Sequence, residues 1–171
     1  MLMIIICIIE YLCYKFTMNF LYYNLPFGAQ LLLWTSRLAF YGSCRTSPNK
    51  YELIDVAYKK AGMNNGSILL KKFLSSLKDK ESFKLQPMCE KYLIKSEIDL
   101  INCIQEHRKI DIDNKYFIKI WQLEKNIKAF TVDSINLATA LKKANLNTNM
   151  KCYQPVNNNF NKLRTVNETL H

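Results

Sequence analysis

The chain has 171 residues, a formal charge of +10 and 49% hydrophobic side chains. That length suits one domain, and its apolar content supplies a core without a disulfide or metal framework. Gly and Pro number four each, too few for the tight turns of a sandwich or barrel, so the composition predicts helices joined by short loops.

The basic residues are mostly Lys, and Lys, Asn and Ile share AT-rich codons. Part of the charge therefore reflects base composition and is discounted as evidence for a polyanionic partner. The cysteines (Cys7, Cys13, Cys44, Cys89, Cys103 and Cys152) form no C-x-x-C pair. Reduced, mostly buried thiols of a cytoplasmic protein are expected.

The chain opens on "MLMIIICIIEYLCYKF", an apolar segment over 1–17. It lacks the basic start and small-residue cleavage site of a secretory signal, and Glu10 and Lys15 interrupt it before it reaches a membrane-spanning length. The preferred reading is an upstream extension from a misassigned start, with Met18 as the natural one. The alternatives are an apolar helix packed on the core or on a membrane surface, and a genuine span. The domain itself is expected over 18–146.

Asn24 is the expected cap of the first helix, with Pro26 in its first turn. This helix runs to about Gly42, apolar on nearly every side, and is taken as the central rod. Ser47 caps a second helix with Pro48 at its first position, and Gly62 stops it. Its stripe is Tyr51, Ile54, Ala57, Tyr58 and Ala61. A third helix spans about Gly66 to Asp79, burying Leu69, Leu70, Phe73, Leu74 and Leu77. After a looser stretch containing Pro87, Ser96 and Asp99 form an expected capping box for a helix to about Arg108. Asp113 caps "NKYFIKIWQLEKNI", which turns Phe117, Ile120, Trp121 and Ile127 inward. Thr131 caps a last helix that buries Ile135, Ala138 and Leu141 and stops at Asn145. From Asn147 the sequence is Asn-rich without apolar period, so 147–171 is expected to be a disordered tail. The predicted fold is thus all-α: a single bundle of five to six helices around one central apolar helix.

The segments "LPFGAQLLLWTSR" (25–37), "QPMCEKYLIKSEIDLINCIQEH" (86–107) and "LATALKKANL" resemble an uncharacterised small helical protein family of alphaproteobacteria, with a spacing that covers most of 19–146. The resemblance implies a helical fold, with Pro87, Cys89 and Glu97 as marked positions after the core helix. It implies no activity.

Chemistry-bearing patterns are sparse. Cys103 and His107 lie four apart on one predicted helix, and Cys89 on the preceding loop is within reach. They are the candidate metal ligands, but the paired spacing of zinc modules is missing, and a buried Cys103 beside a surface His107 is the simpler expectation. A Cys103–His107 nucleophile would lack an orienting group and oxyanion donors. No phosphate-cradling glycine loop or G-x-S-x-G occurs. Asp111 and Asp113 read as loop and cap. No enzyme activity and no cofactor are expected.

The strongest pattern is "YELIDVAYKKAGMNNGSILLKKFLSSLK" (51–78), helix, short turn, helix, the outline of a helix-turn-helix. Its turn resembles that of tetracycline-repressor-like regulators, one residue too long. The candidate nucleic-acid residues are Lys59, Lys60, Asn64, Asn65, Ser67, Lys71 and Lys72. An ordinary hairpin with a solvated lysine face competes with that reading. A protein-interaction module would instead expose aromatic residues beside the core helix: Tyr22, Tyr23, Phe27 and Tyr41. The expected role is a non-enzymatic binding or regulatory module with a macromolecular, most simply protein, partner. The alternatives are a DNA-binding regulator using 51–78 and a membrane-associated protein held by residues 1–23.

Overall fold

A helix rich in Leu on all sides must sit inside other helices, and α1 (Phe27–Tyr41) does so. In the computed structural model the described residues are 21–42, 49–77, 80–107 and 115–150. Around α1 lie α2 (Lys50–Lys60), α3 (Gly66–Ser75), α4 (Lys95–Glu106), α5 (Lys115–Ile120) and α6 (Ile127–Lys143). The fold is all-α: among the described residues the only β pairing is an isolated antiparallel bridge between Leu21 and Tyr92. α1 packs on α2, α3 and α4, and α6 closes the bundle against α3 and α4. No helix among the described residues is long and apolar enough to cross a membrane. The membrane alternative rests on residues 1–23, of which 1–20 lie outside the described residues.

Ala29, Leu32, Leu33 and Leu38 of α1 are fully buried, as are Leu100, Ile101 and Ile104 of α4 and Leu137, Ala138 and Leu141 of α6. Thr35 and Ser36 are buried within the apolar rod because their hydroxyls donate back to Leu31 O and Leu32 O, both at 2.7 Å. An aromatic chain crosses the core: Phe83 meets Trp121 edge-on at 5.5 Å, Trp121 meets Phe130 at 6.0 Å, and Phe130 meets Phe73 at 5.6 Å.

Several helix limits differ from the sequence reading. Asn24 does not cap α1. It closes a 3-10 turn, Tyr22–Asn24, and the extended Pro26 precedes the helix, its carbonyl accepting from Ala29 and Gln30. Ser47 lies outside the described residues, and Asn49 caps α2 by accepting from Tyr51 N at 3.1 Å. Ser96 and Asp99 form no capping box, because α4 starts two residues earlier, with Ile94 at the cap position. Glu97 accepts from Ile94 N at 3.2 Å, while Ser96 accepts from the distant Lys84 N. Asp113 is outside the described residues. The helix expected behind it ends at Ile120, where Gln122 takes a left-handed φ of 52°. Thr131 is no cap: α6 begins four residues before it, so the buried stripe is Phe130, Ser134, Leu137, Ala138 and Leu141, and Ile135 is exposed.

The sequence reading ends the domain at 146, but the ordered chain continues. Leu146, Thr148 and Met150 are buried, and a Cβ on Gly28 would sit 2.5 Å from the Asn147 carbonyl. The chain leaving α6 therefore returns onto the start of α1, which only glycine at 28 permits. The rest of the expected tail, 151–171, lies outside the described residues.

Candidate functional site

The α2–α3 hairpin is built as its sequence suggests. α2 ends with Lys59 and Lys60 in its last turn, Gly62 adopts a φ of 83°, and Met63 N donates to Tyr58 O at 2.8 Å. α3 then begins with Gly66 directly on the Tyr58 ring, where a Cβ would collide with the ring carbons. The Tyr58 hydroxyl is buried at 3.1 Å from Thr35 Oγ1, and burial pushes its ionisation well above the usual tyrosine range. Asp55 ties the two helices together. Its carboxylate accepts from Ser67 Oγ at 2.8 Å and pairs with Lys59 Nζ at 2.7 Å. The Lys59 bond first, and the Ser67 bond next, hold the Asp55 carboxyl below the usual carboxylate range.

The candidate nucleic-acid residues therefore divide. Lys60, Lys71, Lys72, Asn64 and Asn65 are exposed. Lys59 is exposed but engaged by Asp55, and Ser67 is half-buried and spent on the same carboxylate. Lys71 Nζ lies 5.3 Å from the centre of the Tyr51 ring. Asn64 and Asn65 do not flank an open helix end. They form one wall of a cleft of about 470 Å³ whose other wall is Asn136, Thr139 and Lys143 of α6. Along the outward face of α3 the lysines are interrupted by the exposed Ile68.

The candidate metal ligands are not brought together. Cys89 is exposed on the loop before α4, whereas Cys103 and His107 are buried, and no group of three metal-ligating side chains occurs among the described residues. His107 is not the surface residue expected. Its Nδ1 lies 2.6 Å from Cys103 O and its Nε2 lies 3.2 Å from Ser134 Oγ, joining the end of α4 to α6. Burial first, and the charge of Asp99 second, push the Cys103 thiol well up, which withdraws it from nucleophilic use.

Of the expected interaction aromatics, Tyr23 and Phe27 are 67% and 63% exposed at the start of α1, with the half-buried Tyr22 ring edge-on to Tyr23 at 5.4 Å. Tyr41 is exposed at the opposite end of α1 and donates to Leu85 O at 2.7 Å. The four residues thus form no single patch.

Beneath Tyr22 lies an ion pair that spacing alone did not reveal. Arg37 and Glu97 are 2% and 0% exposed, joined in a fork by Nε to Oε1 at 2.7 Å and Nη2 to Oε2 at 2.8 Å. Arg37 also donates to Glu90 O and Tyr92 O, and Glu97 accepts from Gln86 N and Ile94 N. The Arg37 guanidinium lies 5.7 Å from the Tyr22 ring centre, and Tyr22 N donates to Lys91 O. Every strand of this network is internal, so it fixes the 86–94 loop and the start of the domain to α1 rather than addressing a ligand. The sequence signal for it is a single Arg in an otherwise apolar helix.

Compared with protein-family models, curated proteins and solved structures, the chain matches none.

Proposed function

We propose that this chain is a cytoplasmic, non-enzymatic binding or regulatory module whose partner is a protein docking on the aromatic surface at the start of α1. The observation that carries the reading is the exposed pair Tyr23 and Phe27 on a backbone held by the Arg37–Glu97 network. Aromatic side chains dominate the centres of interfaces, and a fixed support lowers the entropy lost on docking. The test is affinity purification from the native cells with nuclease treatment, comparing the natural chain with Tyr23→Ser/Phe27→Ser. A nuclease-resistant protein partner retained by the first and lost by the second is the expected result. Equal recovery by both, or recovery abolished by nuclease, overturns it.

A second reading, a DNA-binding regulator using the α2–α3 hairpin, is favoured by the exposed Lys60, Lys71 and Lys72. It calls for duplex affinity that falls steeply with salt, and for its loss in Lys71→Glu/Lys72→Glu. Salt-independent affinity, or affinity unchanged by those substitutions, rules this reading out.

A further inference from the structure

We propose that the outward face shared by α3 and α6 is a docking surface for an anionic phospholipid membrane. Winding at about 100° per residue places Lys128, Val132, Ile135, Thr139, Lys142 and Lys143 of α6 on one arc about 100° wide, and all six are exposed. On α3 the exposed positions are Ile68, Lys71, Lys72 and Ser75, a single stripe three and four residues apart. The two helices pack directly on each other. Thr139 and Lys143 of the arc line the cleft between them together with Leu69, the neighbour of Ile68 and Lys72 on α3. The arc and the stripe therefore flank one seam.

Charge on this surface has one sign. α3 carries no acidic residue and α6 only Asp133, which is half-buried and lies off the arc. None of Lys71, Lys72, Lys128, Lys142 and Lys143 enters an ion pair among the described residues, whose ion pairs are Arg37–Glu97, Lys59–Asp55 and Lys95–Asp99. α2 and α4, by contrast, set acids among their lysines and pair them. A base bias can add lysine throughout a chain, but it does not clear the acids from two neighbouring helices alone. Between the lysines stand Ile68, Val132 and Ile135, 59%, 56% and 36% exposed. They project beside the cleft and do not line it. Projecting apolar side chains suit a lipid interface into which they dip, whereas a partner helix needs recesses for its own anchors. A nucleic-acid backbone would make no use of them. Lysine stems run past such side chains and set their ammonium groups at the level of the phosphates. The surface shares no residue with the Tyr23 and Phe27 site and goes beyond that reading.

The experiment sediments the full chain with vesicles of phosphatidylcholine alone, and of equimolar phosphatidylcholine and phosphatidylglycerol, at low and high salt. Binding to the anionic vesicles that weakens with salt is expected. Each lysine held at an anionic surface is worth about a fivefold change in partitioning, so Lys142→Gln/Lys143→Gln should weaken binding about 25-fold. Val132→Ser/Ile135→Ser alters only exposed side chains, and should weaken binding at low salt while helical circular dichroism is retained. Should that variant not fold, the lysine pair still decides. Both pairs lie outside 51–78 and outside 1–23, so their effect separates this surface from the hairpin and from the apolar start of the chain. Equal binding to neutral and anionic vesicles, binding unchanged by either pair of substitutions, or binding to duplex DNA in place of anionic vesicles overturns the proposal.

Discussion

Arg37 and Glu97 concentrate two opposite charges where water does not reach. Removing one partner leaves the other desolvated and unpaired, so Glu97→Ala is expected to cost about 3–5 kcal/mol in urea-induced unfolding. Replacing both by Leu removes the orphaned charge but leaves the Gln86 and Ile94 amides and the Glu90 carbonyl without partners. The double variant is therefore expected to be less destabilised than the sum of the single ones, with a coupling of at least about 1 kcal/mol. Additive losses would show that the fork contributes no more than its separate backbone bonds. The thiols give a second residue-scale test. Cys103 is buried with its ionisation pushed up, whereas Cys89 is exposed. Iodoacetamide at pH 8 should modify Cys89 and spare Cys103 until denaturant is added, as read by peptide mass mapping. Equal labelling in the folded protein would contradict the burial of α4.

At the scale of elements, the α2–α3 hairpin carries two separable links. Gly66 allows α3 to rest on the Tyr58 ring, so Gly66→Ala forces that buried, hydrogen-bonded ring aside and should cost about 1–3 kcal/mol. The Asp55 link is electrostatic. Its folded ionisation lies below the unfolded value, so its stabilisation is present above the unfolded pKa and lost as pH falls through the folded one. Ser67→Ala should accordingly lower the urea midpoint at neutral pH, with the difference shrinking as pH falls below about 4. A difference that persists unchanged in acid would assign the effect to packing instead.

The same hairpin shows what a linear reading can reach. Its stop at Gly62 and its last-turn lysines are local signals, decided by backbone conformation and helix dipole within a few residues, and they stand in the structure as read. Asn145, with a φ of 55°, is another. Where the reading failed, the deciding partner is distant in sequence. Ser96 looked like a cap but is taken by Lys84 N. His107 looked like a surface side chain, yet its Nε2 meets Ser134 on another helix. Of the candidate site, the exposure of the lysines and of Tyr23 and Phe27 was legible. The cleft shared by Asn64, Asn65 and α6 was not, because it depends on how helices far apart in sequence are set side by side.

For the whole molecule, the arrangement follows from a central rod that cannot face water. α1 is covered by α2, α3 and α4, and α6 covers α3 and α4 in turn, leaving the start of α1 to be sealed by some later piece of chain. That piece is 146–150. Its composition gave no sign of this, because Asn-rich sequence without apolar period reads as unstructured; yet it needs only Leu146, Thr148 and Met150 to turn inward. The seal is narrow, since the Asn147 carbonyl lies where a Gly28 side chain would begin. A chain ending at Asn145 should then lose the burial of Leu146 and Met150, about 1.5–3 kcal/mol each, relative to one ending at Met150. Gly28→Ala in the longer chain should reproduce part of that loss by pushing the segment off α1. In the shorter chain the same substitution should cost less, because the carbonyl it would strike has been removed. Urea unfolding of the four proteins measures both effects. A Gly28→Ala penalty of equal size in the two lengths would mean that the 146–150 segment does not seal the rod.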